Sequence, residues 1–180
     1  MTPMQPDQAT FLLNFLLPQI KNEHKTTKKV IEAVPTDKGE YQPDPRSMNS
    51  LDLAWHIASS ECFFMDGASS GEFGSGGKRP DTIRNSADVA NWYEEHFNQS
   101  FERVSKMSGE QLLNMINFHN VFNFPAIVYL QLMISHSIHH RGQLSAYLRP
   151  MGARVPSIYG GSADEPFAPA QSTESTTATA

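Results

Sequence analysis

Four long segments of this chain repeat apolar residues at a helical period, and this pattern constrains the fold more than any other feature. A spacing of three and four between apolar residues is typical of amphipathic helices that bury one face. The segments cover residues 9–34, 47–68, 86–108 and 125–150. Because the chain has no repeated alternation typical of strands, the sequence predicts an all-α fold, a four-helix bundle with long loops.

Proline and glycine indicate where these helices are interrupted. Pro18 lies inside the first segment, where we expect a kink or a break. Residues 32–47 are rich in proline, aspartate and glycine and are predicted to form a loop. We expect Ser47 or Ser50 to cap the second helix and Ser86 to cap the third. The loops are long for a simple up-down bundle, so the sequence favours at least one crossover connection.

The remaining connections are less regular. Residues 67–80 contain five glycines. They lack the GxxxxGK[ST] and GxGxxG patterns, so we predict a flexible loop without phosphate binding. Residues 111–124 have no clean helical period and are predicted to contain a short extended segment. The 180 residues predict one domain over 1–160, followed by a flexible tail over 161–180 that ends in serine, threonine and alanine.

Charge and composition exclude several classes of protein. The net charge of −5 argues against nucleic-acid binding, which depends on neutralising phosphates. The basic stretch 21–29 is predicted to be a solvated helix face. No run of 18 apolar residues and no signal-peptide pattern occur, so we expect no membrane span and a cytoplasmic location. Cys62 is the single cysteine, which excludes an internal disulfide and favours a buried small side chain.

Histidines in the last helix provide the first indication of chemistry. On a helix, His140 lies about 40° from His136, and Gln143 and Tyr147 lie within about 20° of it. The same stripe is mainly apolar and should face the core. Two imidazoles four residues apart on one face have a spacing suited to chelating one metal ion. The same spacing also occurs among ordinary core histidines, so spacing alone leaves both interpretations open.

A third histidine strengthens the metal interpretation. His56 lies in the apolar stripe of the second helix, where an imidazole without a partner is costly to bury. A Zn²⁺- or Ni²⁺-like ion shared by His56, His136 and His140 would remove that cost for all three. The sequence therefore predicts a three-histidine site between two helices, and three protein ligands leave a coordination position for water or substrate.

These residues also carry a resemblance to a known family. The segment LAWHIASSE around His56 and the run HSIHHRGQLSAYLRPMGARVP over residues 136–156 resemble the DinB/YfiT-like family of metal-binding four-helix bundles. The likeness rests on the HxxxHRGQ pattern and on the partner histidine, and it extends over roughly residues 8 to 160. It implies a divalent metal held by His56, His136 and His140, and a homodimer.

The resemblance also implies a range of functions. Relatives include thiol-dependent S-transferases, mycothiol-dependent isomerases and metal-dependent hydrolases. We therefore expect a metal-dependent enzyme that acts on a small-molecule substrate, with a low-molecular-weight thiol as a further cofactor in the transferase case. The alternatives are a non-catalytic metal-binding or stress-response dimer, and a structural dimer whose histidines hold no metal.

Neighbouring polar residues carry smaller predictions. Gln143 and Tyr147 are candidates to support the metal ligands by hydrogen bonding, with simple core packing as the alternative for Gln143. Arg141 is predicted to pair with a carboxylate or carbonyl on another helix, and Gly142 to permit close helix packing. Glu61 is predicted to be exposed. Four further histidines are expected at the surface or its edge: His24, His96, His119 and His139.

Overall fold

Four long helices dominate the structure, and a short helix and a hairpin precede the last of them. The computed structural model describes residues 3–167. Its elements are α1 (Pro6–Glu32), α2 (Ser50–Ser70), α3 (Ser86–Ser105), α4 (Gly109–Leu113), β1 (Met115–Phe118), β2 (Phe122–Pro125) and α5 (Ala126–Leu148). The predicted all-α class is confirmed, with one small hairpin as its only strand pair in the described part of the chain.

The helices pack as a bundle in which consecutive helices are not always neighbours. Helix α2 packs on α3 and α5, and α1 packs on the other sides of the same two helices. Helices α1 and α2 therefore occupy opposite corners, as do α3 and α5. The chain crosses the bundle after α1 and again after α3. These two crossings account for the long connections and confirm the predicted crossover.

Asparagine, not serine, caps the second and third helices. The side chains of Asn49 and Asn85 accept hydrogen bonds from backbone N–H groups three residues further on. The predicted serine caps are wrong because Ser50 and Ser86 are the first residues of their helices, and both are buried. The Ser86 hydroxyl instead donates to the backbone oxygen of Val34, at 2.6 Å, and so ties α3 to the end of α1.

Pro18 does not interrupt α1, so of the predicted kink or break, the break is wrong. The helix runs without a gap from Pro6 to Glu32. Pro18 and Asn14, whose carbonyl loses its amide partner to the proline, both lie on the exposed face. Water can satisfy a carbonyl on that face, and this lowers the cost of an internal proline.

The connection between α4 and α5 confirms the predicted extended segment. Strands β1 and β2 pair antiparallel, with Phe118 opposite Phe122. His119 and Asn120 have φ values of 51° and 60°, the left-handed conformation that a tight hairpin requires. The Asn117 side chain accepts a hydrogen bond from the backbone N–H of Asn120 at 2.7 Å and so closes the turn.

The glycine-rich loop starts later than predicted, and part of the predicted tail is hydrogen-bonded to the rest of the chain. Helix α2 continues to Ser70 and ends at Gly71, whose φ of 86° only glycine adopts without strain, so the glycine-rich loop starts four residues later than predicted. Residues 162–165 hydrogen-bond to the chain around Val155. The boundary at residue 160 stays a prediction, and residues 168–180 lie outside the described residues.

Across 3–167, no helix has both the length and the apolar character to cross a bilayer.

Candidate metal centre

The three predicted histidines lie together where α2 faces α5. His56 Nε2 and His136 Nε2 are 3.3 Å apart. The ring of His140 lies 4.6 Å from that of His56 and 4.4 Å from that of His136, centroid to centroid. One nitrogen from each ring falls within 4.8 Å of one from each of the others. All three side chains are half-buried. We call these residues the histidine cluster.

This spacing fits a tetrahedral metal ion. A Zn–N bond of about 2.05 Å and tetrahedral angles place two ligand nitrogens roughly 3.4 Å apart. The 3.3 Å between the Nε2 atoms of His56 and His136 matches that separation. The ligand nitrogen of His140 lies within 4.8 Å of the other two, and a rotation of its side chain would bring it closer to them. The residues present therefore fit a divalent metal with three imidazole ligands.

Burial keeps the rings of His56 and His136 neutral and so prepares them for metal. Desolvation first, and the neighbouring imidazoles second, lower the pKa of His136 to about 4. Desolvation, with His140 as the second cause, also lowers the pKa of His56. A metal binds only an imidazole nitrogen that carries no proton. At neutral pH both rings are already in the neutral form, which offers such a nitrogen.

Two neighbours orient the imidazole rings. Gln143 Oε1 lies 2.7 Å from Nδ1 of His140, so a proton on Nδ1 is held there and Nε2 is left as the free lone pair. Ser60 Oγ lies 3.5 Å from Nδ1 of His56. Tyr147 lies further along α5, and its ring packs edge-on against Tyr41. Of the two candidates for a supporting role, the structure brings only Gln143 into contact with the cluster.

A cleft opens beside the histidine cluster. It has a volume of about 280 Å³ and reaches the rings of His56 and His136. Its other lining residues come from α2, the glycine-rich loop and the hairpin: Ser59, Ser60, Phe63, Phe64, Gly76, Gly77 and Phe118. Sequence analysis missed this contribution, because nothing in the residue pattern shows that the loop and the hairpin fold back onto α2.

A second polar cluster lies deeper between the same helices, and it corrects one prediction. Glu61 was predicted to be exposed, yet only 3% of its surface is accessible. Its carboxyl group accepts hydrogen bonds from the hydroxyls of Tyr93 and Ser137. Desolvation raises the pKa of Glu61 to about 7, and the two hydrogen bonds oppose that shift. Glu61 therefore holds α2, α3 and α5 together and does not reach the histidines.

Arg141 confirms its prediction. Its guanidinium is 1% exposed and forms an ion pair with Glu23 of α1, Nη1 to Oε2, at 2.6 Å. It also donates to the backbone oxygen of Glu23 and to the hydroxyls of Thr27 and Tyr159. We call Glu61, Tyr93, Ser137, Arg141 and Glu23 the interior network.

Two of the remaining predictions are wrong, and the other four, including that for His96, are confirmed. His24 is buried, because its ring stacks on Phe97 with centroids 3.7 Å apart. Gly142 does not serve close packing, since a Cβ there would meet nothing within 4 Å outside its own helix backbone. His119 and His139 are exposed, and Cys62 is buried, all as predicted. His96 is half-buried, with its ring stacked on that of Trp92.

Comparison with known proteins agrees with this architecture. Residues 8–171 match the model of the DinB family. A Bacillus subtilis (strain 168) protein, YjoA, described as uncharacterized, is 27% identical over 142 residues, which are 77% of this chain and 90% of YjoA. The crystal structure of YjoA, a DinB-like protein, superposes with a TM-score of 0.67 at 25% identity, over 79% of this chain and 96% of that one.

A second solved structure shows the same fold. It is a DinB-like protein from Bacillus cereus ATCC 10987, with a TM-score of 0.68 at 23% identity. The match covers 80% of this chain and 95% of that protein. Both superpositions extend over nearly the whole of the solved structure, so the bundle as a whole is shared.

Proposed function

Because this chain belongs to the DinB family and its α2 and α5 helices bring three imidazoles together, we propose that it is a divalent-metal-dependent enzyme. In this proposal His56, His136 and His140 are the metal ligands. The observation that carries the proposal is the cleft beside the cluster, which His56 and His136 help to line. A structural metal site is usually closed by four protein ligands, whereas three ligands beside a cleft leave room for a substrate.

The reaction class follows from the ligand set. A bound divalent cation would act as a Lewis acid and lower the pKa of a water molecule or thiol in the open position. Thiol transfer or isomerisation, with a low-molecular-weight thiol, and hydrolysis, with water, are the reactions that such a site supports. Three imidazoles suit zinc and nickel, and we propose one of these as the metal.

The chain's own residues have distinct roles in this proposal. Gln143 holds the Nδ1 proton of His140 and thereby fixes the ring that points Nε2 at the metal position. The cleft beside His56 and His136 binds the substrate. Glu61 and Arg141 fix the relative positions of the helices that carry the ligands.

Metal analysis of matched variants tests the ligand assignment. The protein is prepared without tag, chelator or nickel resin and reconstituted with zinc, and its metal content is measured by elemental analysis. We expect one ion per chain in the wild type and none in His140→Ala. His139→Ala is the control, because His139 neighbours His140 in sequence but is exposed, and it should keep the ion.

The outcomes separate the proposal from its alternatives. Full metal stoichiometry in His140→Ala would refute the ligand set. A metal that is retained and raises thermal stability, together with silence in screens of thiol transfer and hydrolysis, would favour a non-catalytic metal-binding protein. No retained metal in the wild type would favour a structural role for the histidines.

We also propose that the protein forms a homodimer. Phe11 and Phe15 lie one turn apart on α1 and are 74% and 67% exposed. Large apolar side chains grouped on a surface mark contact sites. Sedimentation velocity at micromolar concentration should show a species of twice the 20.1 kDa chain mass. A Phe11→Ser/Phe15→Ser variant should sediment as a monomer, and a wild-type monomer would contradict the proposal.

A further inference from the structure

The cleft beside the histidine cluster has a chemical character that narrows the substrate. We infer that it accepts an uncharged, ring-sized apolar group, held next to the atom that binds the metal. This inference rests on the proposed function, because the metal anchors one end of the substrate. The argument depends on the walls of the cleft, on its lack of charge and on its size.

The walls are aromatic. Phe63 and Phe64 come from α2, and Phe118 comes from the hairpin. The rings of Phe64 and Phe118 are nearly parallel, with centroids 6.0 Å apart and an interplanar angle of 13°. The Phe64 ring also lies 5.8 Å from that of His136. Aromatic rings in these edge and face arrangements favour another flat apolar group beside them.

Phe73 supports this wall from behind. It packs against Phe63, Phe118 and Tyr129, with centroid distances of 5.3, 4.9 and 4.8 Å. Its ring occupies the space over Gly67, where a Cβ would lie 2.2 Å from the ring. The wall is therefore built by packing from four elements of the chain, and it is not a set of side chains exposed by chance.

No residue that lines the cleft is aspartate, glutamate, lysine or arginine. The adjoining hollow, which shares His56 with the cleft, differs, because Asp52, Lys78 and Arg79 line it. A charged group placed in the aromatic cleft would lose hydration without gaining a partner of opposite charge. The cleft therefore selects against a charged group at the position nearest Phe118.

The volume sets the size of that group. A cavity of roughly 150 Å³ is large enough to hold benzene. The cleft measures about 280 Å³, which accommodates one ring and a short linker to the metal position.

Metal-binding probes that differ only in their tail test the inference. Zinc-loaded protein is titrated calorimetrically with acetohydroxamate, phenylacetohydroxamate and succinic monohydroxamate, which share a zinc-binding group. We expect phenylacetohydroxamate to bind roughly tenfold or more tighter than acetohydroxamate, from burial of the ring. The carboxylate tail of the succinic compound should give no gain over acetohydroxamate.

Three variants locate the effect. Phe118→Ala should remove most of the preference for the aromatic probe over acetohydroxamate, in protein that holds as much zinc as the wild type. Phe63→Ala, on the rigid α2 helix, should do the same and covers the case in which the hairpin of Phe118→Ala misfolds. Phe124→Ala is the control, because Phe124 lies on the other hairpin strand, is 38% exposed and does not line the cleft.

The results distinguish this inference from the proposed function. Equal affinity for the aromatic and methyl probes, in protein that holds zinc, overturns the inference and leaves the metal enzyme intact. A preference that survives in both Phe118→Ala and Phe63→Ala also overturns it. Protein that retains no zinc and binds no hydroxamate contradicts both.

Discussion

His136 and Ser137 are neighbours in α5, yet their side chains enter two polar clusters of opposite character. Ser137 joins the interior network, where Glu61 and Arg141 are both matched by hydrogen bonds from other helices. His136 joins the histidine cluster, where imidazole nitrogens face one another and a cleft. The interior network is complete within the chain, whereas the histidine cluster leaves lone pairs converging on one point.

The comparison separates polar groups that are fully hydrogen-bonded within the fold from groups whose lone pairs are left free for a ligand. Polar groups buried with full partners cost little as long as every partner is present. Rings kept neutral by desolvation and left with spare lone pairs add little to stability and are ready to bind a cation. Substitutions in the two clusters should therefore have opposite consequences for stability and for metal content.

The largest effect is expected for Arg141→Met. This change leaves the Glu23 carboxylate, which is 12% exposed, without its guanidinium partner. An uncompensated buried charge costs about 3–5 kcal/mol of unfolding free energy. Urea denaturation measures the loss. The control Arg103→Met breaks the half-exposed pair with Asp66 and should cost about 1 kcal/mol or less.

A pH dependence of stability should follow from Glu61. Its pKa in the folded state is about 7, above the 4.5 of an ordinary glutamate, because of desolvation. The contribution of Glu61 to stability is therefore full below pH 4.5 and is lost up to pH 7, since the unfolded chain ionises first. The loss amounts to about 3 kcal/mol. Burial lowers the pKa of His24 and of His136 to about 4, so these two rings change stability in the opposite direction over the same range. Urea denaturation between pH 4.5 and 8 should therefore show the Glu61 loss as a fall in the unfolding free energy of the wild type relative to that of Glu61→Gln.

A matched substitution assigns that slope to the interior. The pKa of Glu94 is lowered to about 2 in the folded state, chiefly by its hydrogen bond with Lys28. Glu94 therefore affects stability below pH 4.5, and Glu94→Gln should keep the wild-type slope between pH 4.5 and 7. A slope in Glu61→Gln that is identical to that of the wild type would show that the network does not protonate at this carboxyl.

A smaller gain is expected for Gly142→Ala, next to Arg141 in α5. The added Cβ meets no atom within 4 Å outside the helix backbone, so alanine fits without strain. Glycine inside a helix costs about 0.8–1 kcal/mol relative to alanine, and thermal unfolding should register a rise of that size. Destabilisation would show that the helix interface is closer than the structure has it.

The smallest effect is expected for His140→Ala in metal-free protein. His140 is half-buried and takes no part in the interior network, so the unfolding free energy should change by about 0.5 kcal/mol or less. Adding zinc should then stabilise the wild type and not the variant, because only a site that binds the folded state shifts the equilibrium. A loss of several kcal/mol of unfolding free energy in metal-free His140→Ala would contradict the expectation that the histidine cluster adds little to stability.

The sequence predicts the histidine cluster because its geometry is mostly local. His136 and His140 are four residues apart, which places them on one face of any helix. The helical period around His56 predicts that this ring turns inward, and the bundle then has only one core for all three to share. The helical period does not say which helices face one another, and the family resemblance supplied that information.

The interior network could not be predicted because its partners are remote in sequence. Glu61 is 32 residues from Tyr93 and 76 residues from Ser137, so no spacing rule connects them. A glutamate after two serines resembles a surface residue until its partners are known. The prediction for His24 was wrong for the same reason, since the Phe97 ring that covers it belongs to α3.

The hairpin that carries Phe118 is anchored less firmly than the helices that carry the histidines. Two four-residue strands joined by a left-handed turn form a structure that is marginal when isolated. Residues can be added at its exposed tip, near Val121, without touching α2 or α5. Changes to this hairpin could therefore alter which molecules the cleft accepts, while the histidine cluster would stay as it is.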